Sequence, residues 1–313
     1  MDMDLDGQLI CIFGGGGFLG RYVAQALLAR GARLRIAERN VKNAMHIKPL
    51  GNLGQTQFAS ADICKPDSVA RAVHGCDAVV NLVGVLKGDF EKIHVKGARN
   101  VAEAAAAAGC RTLLQLSAIG ADTASPSRYG RSKGDGEQLV LQAFPDAIIL
   151  RPSIVFGRED QFINRFALMI QMLPMVPVIG GATKFQPIFV GDVADVAAEA
   201  LSQPQLYAGQ TFELGGPEVI SMGDLNRRIA SMTSRQRTFV DVPDFAARIL
   251  AILPASPITT DQYKMLQKDN VVSQDAKGLD AFGVAPTPLA AVAGGWMEKY
   301  TAHGRFGARA KAG

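Results

Sequence analysis

No run of apolar residues in this 313-residue sequence approaches the roughly 18 needed to cross a bilayer as a helix, so any attachment to a membrane is expected to be peripheral. The four cysteines, Cys11, Cys64, Cys76 and Cys110, form no C-x-x-C pair. Reduced structural thiols in a cytosolic protein are the simplest account of them. The four histidines, His46, His74, His94 and His303, are scattered without ligand spacing, and no metal site is assigned. Charge of one sign is also lacking: 33 basic residues against 29 acidic ones leave a formal net charge of +4, spread along the chain, which argues against a nucleic-acid groove. No fixed-period repeat is present, and the only low-complexity stretch is the alanine run Ala104 to Ala108. The opening MDMDLDGQLI has neither the Arg-rich amphipathic character of a transit peptide nor the apolar core of a signal peptide. A place in the bacterial cytoplasm is expected, with the cytoplasmic face of the inner membrane as the peripheral alternative.

What is present is a globular balance of 48% apolar and 20% charged residues, on a chain long enough for one large α/β domain with a smaller lobe. The first half alternates short apolar runs with helical segments, the pattern of a parallel sheet covered on both faces. Strands are expected at Leu9 to Phe13, Arg33 to Ala37, Asp77 to Leu82, Thr112 to Ser117 and Ala147 to Leu150, with helices at Phe18 to Arg30, Val95 to Ala108 and Tyr129 to Phe144. After Arg151 the rhythm changes to longer segments broken by Pro and Gly, followed by a helical stretch from Val193 to Leu201. The expected architecture is a doubly wound Rossmann sheet over residues 1–151, and a smaller α/β lobe over 152–313 interleaved with it.

Directly after the first strand comes FGGGGFLG, with Gly14, Gly17 and Gly20 in G-x-x-G-x-x-G spacing. Glycines there allow a tight strand-to-helix turn, let backbone amides approach a pyrophosphate and place it at the positive end of the helix. The second strand ends in Glu38 and Arg39. A carboxylate at that point binds the ribose hydroxyls of NAD, whereas a guanidinium clasps the 2′-phosphate of NADP. Arg39 is favoured as the phosphate ligand, with Glu38 outward or pairing a base. That makes NADPH the expected cofactor and NADH the alternative. Asp62 is suited to accept a hydrogen bond from the adenine amino group, or else is an acid at a helix N-terminus.

In SRYGRSKGDGE, Tyr129 and Lys133 stand four apart on one helix face, and Ser117 ends the preceding strand. An ammonium beside a phenol lowers its pKa and a serine hydroxyl can hold a carbonyl, which together suit proton transfer coupled to hydride transfer. The alternative is that Lys133 binds the nicotinamide ribose and Tyr129 packs beside it without turnover.

The glycine turn, NLVGVL from Asn81, Y-x-x-x-K and RPSIVFG from Arg151 resemble the short-chain dehydrogenase superfamily, and more narrowly its atypical extended branch. QPIFVGDVADVAAEAL and TFELGGPEVISMGDL match the substrate lobe of that branch. SRYGRSKGDGE, AIILRPSIVFGREDQFINRFA and SPITTDQYKMLQKDNVVS are similar to the NADPH-binding accessory subunits of respiratory complex I and their alphaproteobacterial relatives, a likeness that covers nearly the whole chain. The resemblance implies cofactor contacts from Gly14, Gly16, Gly17, Phe18, Leu19, Gly20, Arg39, Asp62, Ile63, Leu82, Val83, Gly84, Ser117, Tyr129, Lys133, Pro152 and Ile154. It also implies a tightly bound structural NADPH and a place between the peripheral and membrane arms of the complex. The rival expectations are a free reductase, dehydratase or epimerase using Ser117, Tyr129 and Lys133, and a role in ubiquinone biosynthesis suggested by related atypical members.

Two further segments bear on partners. DFAARILAILP, Asp244 to Pro254, is apolar apart from Asp244 and Arg248, and reads either as ordinary packing in the lobe's own core or as a helix facing lipid or a partner. Lys299, Arg305, Arg309 and Lys311 make the end of the chain basic with no acid among them. That stretch suits phospholipid head groups or an acidic partner, unless it is a frayed tail.

Overall fold

The computed structural model describes residues 4–253 and 258–301, so the basic stretch from residue 302 on and Pro254 lie outside the described residues. In chain order the elements are β1 (Leu9–Phe13), α1 (Phe18–Ala29), β2 (Arg33–Glu38), β3 (Thr56–Ser60), α2 (Pro66–Val73), β4 (Ala78–Asn81), α3 (Ala98–Ala107), β5 (Thr112–Leu116), α4 (Arg128–Ala143) and β6 (Ile148–Pro152). They continue with β7 (Val155–Phe156), α5 (Ile163–Met172), β8 (Met175–Val178), β9 (Lys184–Phe185), β10 (Ile188–Phe189), α6 (Val190–Ser202), α7 (Pro204–Tyr207) and β11 (Thr211–Leu214). The last are β12 (Ile220–Ser221), α8 (Met222–Met232), β13 (Thr238–Asp241), α9 (Asp244–Ile252), α10 (Thr260–Met265) and α11 (Leu289–Met297). They form two units, one of residues up to Pro152 with Val190–Leu214 and Ser273–Ala285, the other of Ser153–Phe189, Gly215–Val272 and the residues from Pro286 on.

The first unit is built on a seven-stranded sheet ordered β11-β6-β5-β4-β1-β2-β3, and every neighbouring pair in it is parallel. Leu9, Cys11, Phe13, Val79, Leu113 and Ile149 point to one face and join Val69, Val101 and Val140 from α2, α3 and α4. Their strand neighbours Ile10, Ile12, Leu34, Ile36, Val80 and Leu114 are buried too, so both faces are covered, as continuous apolar strands require. All four thiols are free, and three of them are buried. Two segments with the motifs of a substrate lobe return to this sheet. Thr211–Leu214 pairs with β6 as its seventh strand, and α6, buried over most of its surface, belongs to the same unit, where a helix with so little polar face finds cover.

One helix differs from expectation. Before α3, residues Glu91–Gly97 form a π-helix, so the helical segment starts four residues earlier than Val95. The neighbouring α4 comes unusually close here: a Cβ on Gly136 would stand within van der Waals overlap of the His94 carbonyl oxygen. A wide turn is one way for a helix to absorb such an approach, and π-bulges occur frequently at functional sites.

The second unit holds three two-stranded pairs, β7/β10, β9/β12 and β8/β13, around a core that includes Phe156, Ile163, Val176, Leu225, Ile229 and Trp296. The buried carboxylate of Asp160 accepts from the amides of Gly157, Phe162, Ile163 and Asn164, which satisfies the start of α5. The apolar segment beginning at Asp244 does form a helix, α9, but it buries only Ala247 and Ala251. Packing within its own core therefore does not account for its large side chains.

Candidate functional site

In a sheet of this order the chain leaves β1 and β4 in opposite directions, which opens a crevice at the carboxyl ends of the strands. The glycine turn sits at the end of β1. Gly14 has φ +79°, a left-handed conformation that side chains resist. A Cβ on Gly20 would come within 2.4 Å of the carbonyl oxygens of Gly14 and Gly15, so this position needs glycine for the turn to close. Gly17 is different: a Cβ there would meet only the Gly14 carbonyl, at 3.2 Å, and the space beyond is open. Gly17 is also the N-cap of α1, which has no side-chain cap and no acid in its first turn. The Gly17 amide donates to the Gly14 carbonyl at 3.1 Å, which leaves the positive end of the helix dipole, at Phe18 and Leu19, to suit an anion.

Glu38 is half-buried. Its Oε1 accepts from the Gly16 amide at 2.8 Å, because the turn brings that amide against the end of β2, whereas Arg39 is exposed. Asp62 lies four residues before α2 rather than in its first turn. Its Oδ1 accepts from the Cys64 amide at 3.0 Å. That hydrogen bond, more than the nearby charges of Lys65 and Arg39, holds its carboxyl below the usual range. Ile63 is buried and its carbonyl accepts from Asn100 at 2.8 Å. Past β4, Leu82 donates to the Phe13 carbonyl at 3.0 Å, Val83 donates to Asn81 Oδ1 at 3.2 Å, and Gly84 is exposed.

The other end of the crevice holds the Y-x-x-x-K pair. Ser127 caps α4 by accepting from the Gly130 amide at 3.2 Å, which starts the helix one turn before Lys133. Lys133 Nζ is buried and donates to the Leu116 carbonyl at 3.2 Å, next to Ser117. It also stands 3.4 Å from where a Cβ on Gly84 would be. Ser117 Oγ is buried and has no hydrogen-bond partner among the described residues. Burial pushes the Lys133 ammonium down to about 8 and the Tyr129 phenol up to about 12. The phenol is thus raised, contrary to the lowering expected from a neighbouring ammonium, because desolvation of the phenolate dominates. Pro152 ends β6 and its carbonyl accepts from Ile119 at 3.1 Å. Ile154 falls in the second unit, packed on its Val178, Phe185 and Met222 cluster.

One residue at this end escaped the sequence reading. His94, in the π-helix, is buried. Its Nε2 accepts from the Val85 amide at 2.9 Å and its Nδ1 meets Ser132 Oγ at 2.9 Å, while Ser132 in turn donates to the Tyr129 carbonyl at 2.8 Å. The ring stacks on Phe90 at 5.3 Å and meets Tyr129 edge-on at 5.4 Å. Burial, aided by the Lys133 charge, holds it down at about 3, so it is neutral at physiological pH. An imidazole with Nδ1–H satisfies both contacts.

The groups that fit a dinucleotide are thus an anion cradle of backbone amides, an exposed arginine beside it, and an orphaned hydroxyl and a buried ammonium at the far end. Such a layout at the switch point of a parallel sheet defines a nicotinamide-nucleotide-binding protein of the short-chain dehydrogenase class. The family can be named more narrowly. The chain belongs to the NAD dependent epimerase/dehydratase family, whose profile matches residues 10–215. It is 36% identical over 299 residues to the NADH dehydrogenase [ubiquinone] 1 alpha subcomplex subunit 9 of Rattus norvegicus, covering 91% of this chain and 78% of that protein. A ceramide reductase of Caulobacter vibrioides is 32% identical over 191 residues, 59% of this chain and 58% of its own. Among solved structures, an Escherichia coli NADPH-dependent quinone oxidoreductase complexed with NADPH shares the fold, with a TM-score of 0.74 at 20% identity over 90% of this chain and 97% of that one. No described helix is long and apolar enough to cross a membrane.

Proposed function

We propose that the chain holds NADPH as a lasting part of its fold and serves as an accessory component of respiratory complex I, on the cytoplasmic face of the bacterial inner membrane. The observation that carries this reading is the 36% identity to the rat subunit across 91% of the chain, because it extends through both units and not the nucleotide half alone. NADPH is favoured over NADH because the Glu38 carboxylate is already engaged by Gly16, which leaves Arg39 as the exposed group at the end of β2. Burial holds the Tyr129 phenol near 12, far above the lowered value that a proton-transferring tyrosine beside an ammonium would have, which supports retention over turnover.

A second reading, a free NADPH-dependent reductase, is favoured by Ser117, whose orphaned Oγ could receive a substrate carbonyl, and by the likeness to a ceramide reductase. One set of measurements separates the two. The near-ultraviolet absorbance of freshly purified protein reports whether reduced nucleotide stays bound through chromatography, and co-purification from detergent-extracted membranes reports assembly with complex I. NADPH oxidation is then followed with quinones and a panel of carbonyl compounds, in the wild type and in Tyr129→Phe. Retained nucleotide, co-purification and no turnover are expected. Steady turnover that collapses in Tyr129→Phe overturns the accessory reading and establishes the reductase.

A further inference from the structure

Beyond Asn81 the chain leaves the sheet and runs without regular structure over residues 82–89 before helix resumes at Phe90. The first two amides of this stretch still lean on the sheet side, Leu82 on the Phe13 carbonyl and Val83 on Asn81 Oδ1. Val85 donates instead to a distant side chain, Nε2 of His94, at 2.9 Å. The other edge of that ring is fixed to α4. Ser132 gives its own hydroxyl proton to the Tyr129 carbonyl at 2.8 Å, so at 2.9 Å from Nδ1 its oxygen accepts. A backbone N–H on one side and an accepting oxygen on the other fix the neutral Nδ1–H tautomer. The His94 carbonyl is also pressed against α4, where a Cβ on Gly136 would overlap it. The imidazole is therefore anchored on the α4 side, and what it holds is the Val85 amide.

The tether sets a gap. Val85 follows Gly84, and Ser132 precedes Lys133. A Cβ on Gly84 would stand 3.4 Å from Lys133 Nζ and 3.9 Å from His94 Nε2, so all three meet at one point. One wall of the gap is firm: the Lys133 ammonium is buried and donates to the Leu116 carbonyl, beside the orphaned Ser117 hydroxyl. The other wall, residues 82–86, is irregular and half-buried or exposed. A loop of that kind is ordered by its individual bonds, and one left loose must be ordered again when a ligand binds, at an entropic cost.

We infer that His94 is a positioning residue for the nicotinamide half of the cofactor, holding residues 82–86 at a set distance from Lys133 so that this half enters a gap already formed. The inference rests on the NADPH-binding part of the function proposed above, and it holds for an accessory subunit and a reductase alike. It is tested by titrating the full chain, freed of nucleotide, with two probes: NADPH, and 2′,5′-ADP, which keeps the adenosine and the 2′-phosphate but has no nicotinamide. His94→Phe removes both bonds of the ring and is expected to weaken NADPH about tenfold, the worth of one hydrogen bond, while 2′,5′-ADP changes by less than about twofold. Two conservative variants separate the bonds, and they decide the matter if His94→Phe folds poorly. His94→Gln reaches as far as Nε2 and can still accept from Val85, so NADPH binding should return to within about threefold of the wild type. His94→Asn reaches only as far as Nδ1, keeps the Ser132 contact, and should bind NADPH as weakly as His94→Phe. The inference fails if NADPH and 2′,5′-ADP weaken together, which would make His94 a support of the fold alone, or if His94→Asn binds NADPH as tightly as His94→Gln. A wild type that binds neither probe sinks the cofactor reading along with it, whereas a wild type that binds both and is matched by His94→Phe sinks this inference alone.

Discussion

With the Glu38 carboxylate bonded to the Gly16 amide, Arg39→Ala is expected to weaken NADPH binding by roughly 1.5–3 kcal/mol, the worth of a charged hydrogen bond, and to leave NADH binding nearly unchanged. Titration by fluorescence checks this, and tighter NADH binding by the wild type would transfer the role to Glu38. His94 makes a second residue-scale prediction. In the folded protein it is held at about 3, below the roughly 6.5 of a free imidazole, so between those values the unfolded chain binds the extra proton. The stability that neutral His94 contributes is therefore present above about pH 6.5 and is lost as pH falls towards 3. His94→Phe should keep the stacking but orphan the Val85 amide and remove the Nδ1–H donor to Ser132 Oγ, at a cost of about 1–3 kcal/mol near neutrality. It should also flatten the fall in urea stability between pH 6.5 and 4.5, and an unaltered slope would mean that another group titrates. The glycines, Arg39, Tyr129 and Lys133 were legible because a motif fixes their neighbours by spacing. His94 was not, because its partners Val85 and Ser132 are 9 and 38 residues away and no periodicity links them.

Within the strand-turn-helix element β1–α1, two glycines of the same motif make opposite demands. Gly20→Ala forces a Cβ within 2.4 Å of two carbonyl oxygens, so it should cost several kcal/mol on the order of severe overpacking and lower the melting temperature even without nucleotide. Gly17→Val puts its branches into the open side of the turn, so the apo protein should melt nearly as the wild type while nucleotide retention vanishes. If Gly17→Val still purifies with stoichiometric nucleotide, the phosphates lie elsewhere. At this scale the buried strands β1, β2, β4, β5 and β6 were readable within one or two residues, since apolar runs covered on both faces leave a strong signal. β3, with the half-polar TQFAS, did not stand out as a run. The π-helix was not readable either, because it arises where Gly136 lets α4 approach, a contact between distant segments. The composition of α9 was plain, but the side it presents depends on which of its residues the rest of the unit covers.

Across the first unit, Arg151 on β6 ties α4 to the late strand β11. It makes paired bonds to Glu137, at 3.0 and 2.5 Å, and stands 3.7 Å from Glu213, which in turn accepts from the Ser273 amide at 2.8 Å. Arg151→Met should leave two largely buried carboxylates without a cation, at a cost of about 3–5 kcal/mol. Adding Glu137→Gln should recover part of the loss. Equal denaturation midpoints for wild type and Arg151→Met would show that the triad contributes nothing to stability. The same connection sets a timetable for synthesis. β6 is complete once Pro152 has been made, but its outer neighbour begins only at Thr211, and the third segment of the unit, Ser273–Ala285, is made later still. At roughly 5–20 residues per second, a nascent chain emerging from the ribosome carries an unpaired apolar strand edge for several seconds. That is the interval in which a chaperone would have to shield it, and a message cut short before the codon for Thr211 would yield a product that aggregates instead of a smaller working nucleotide-binding domain.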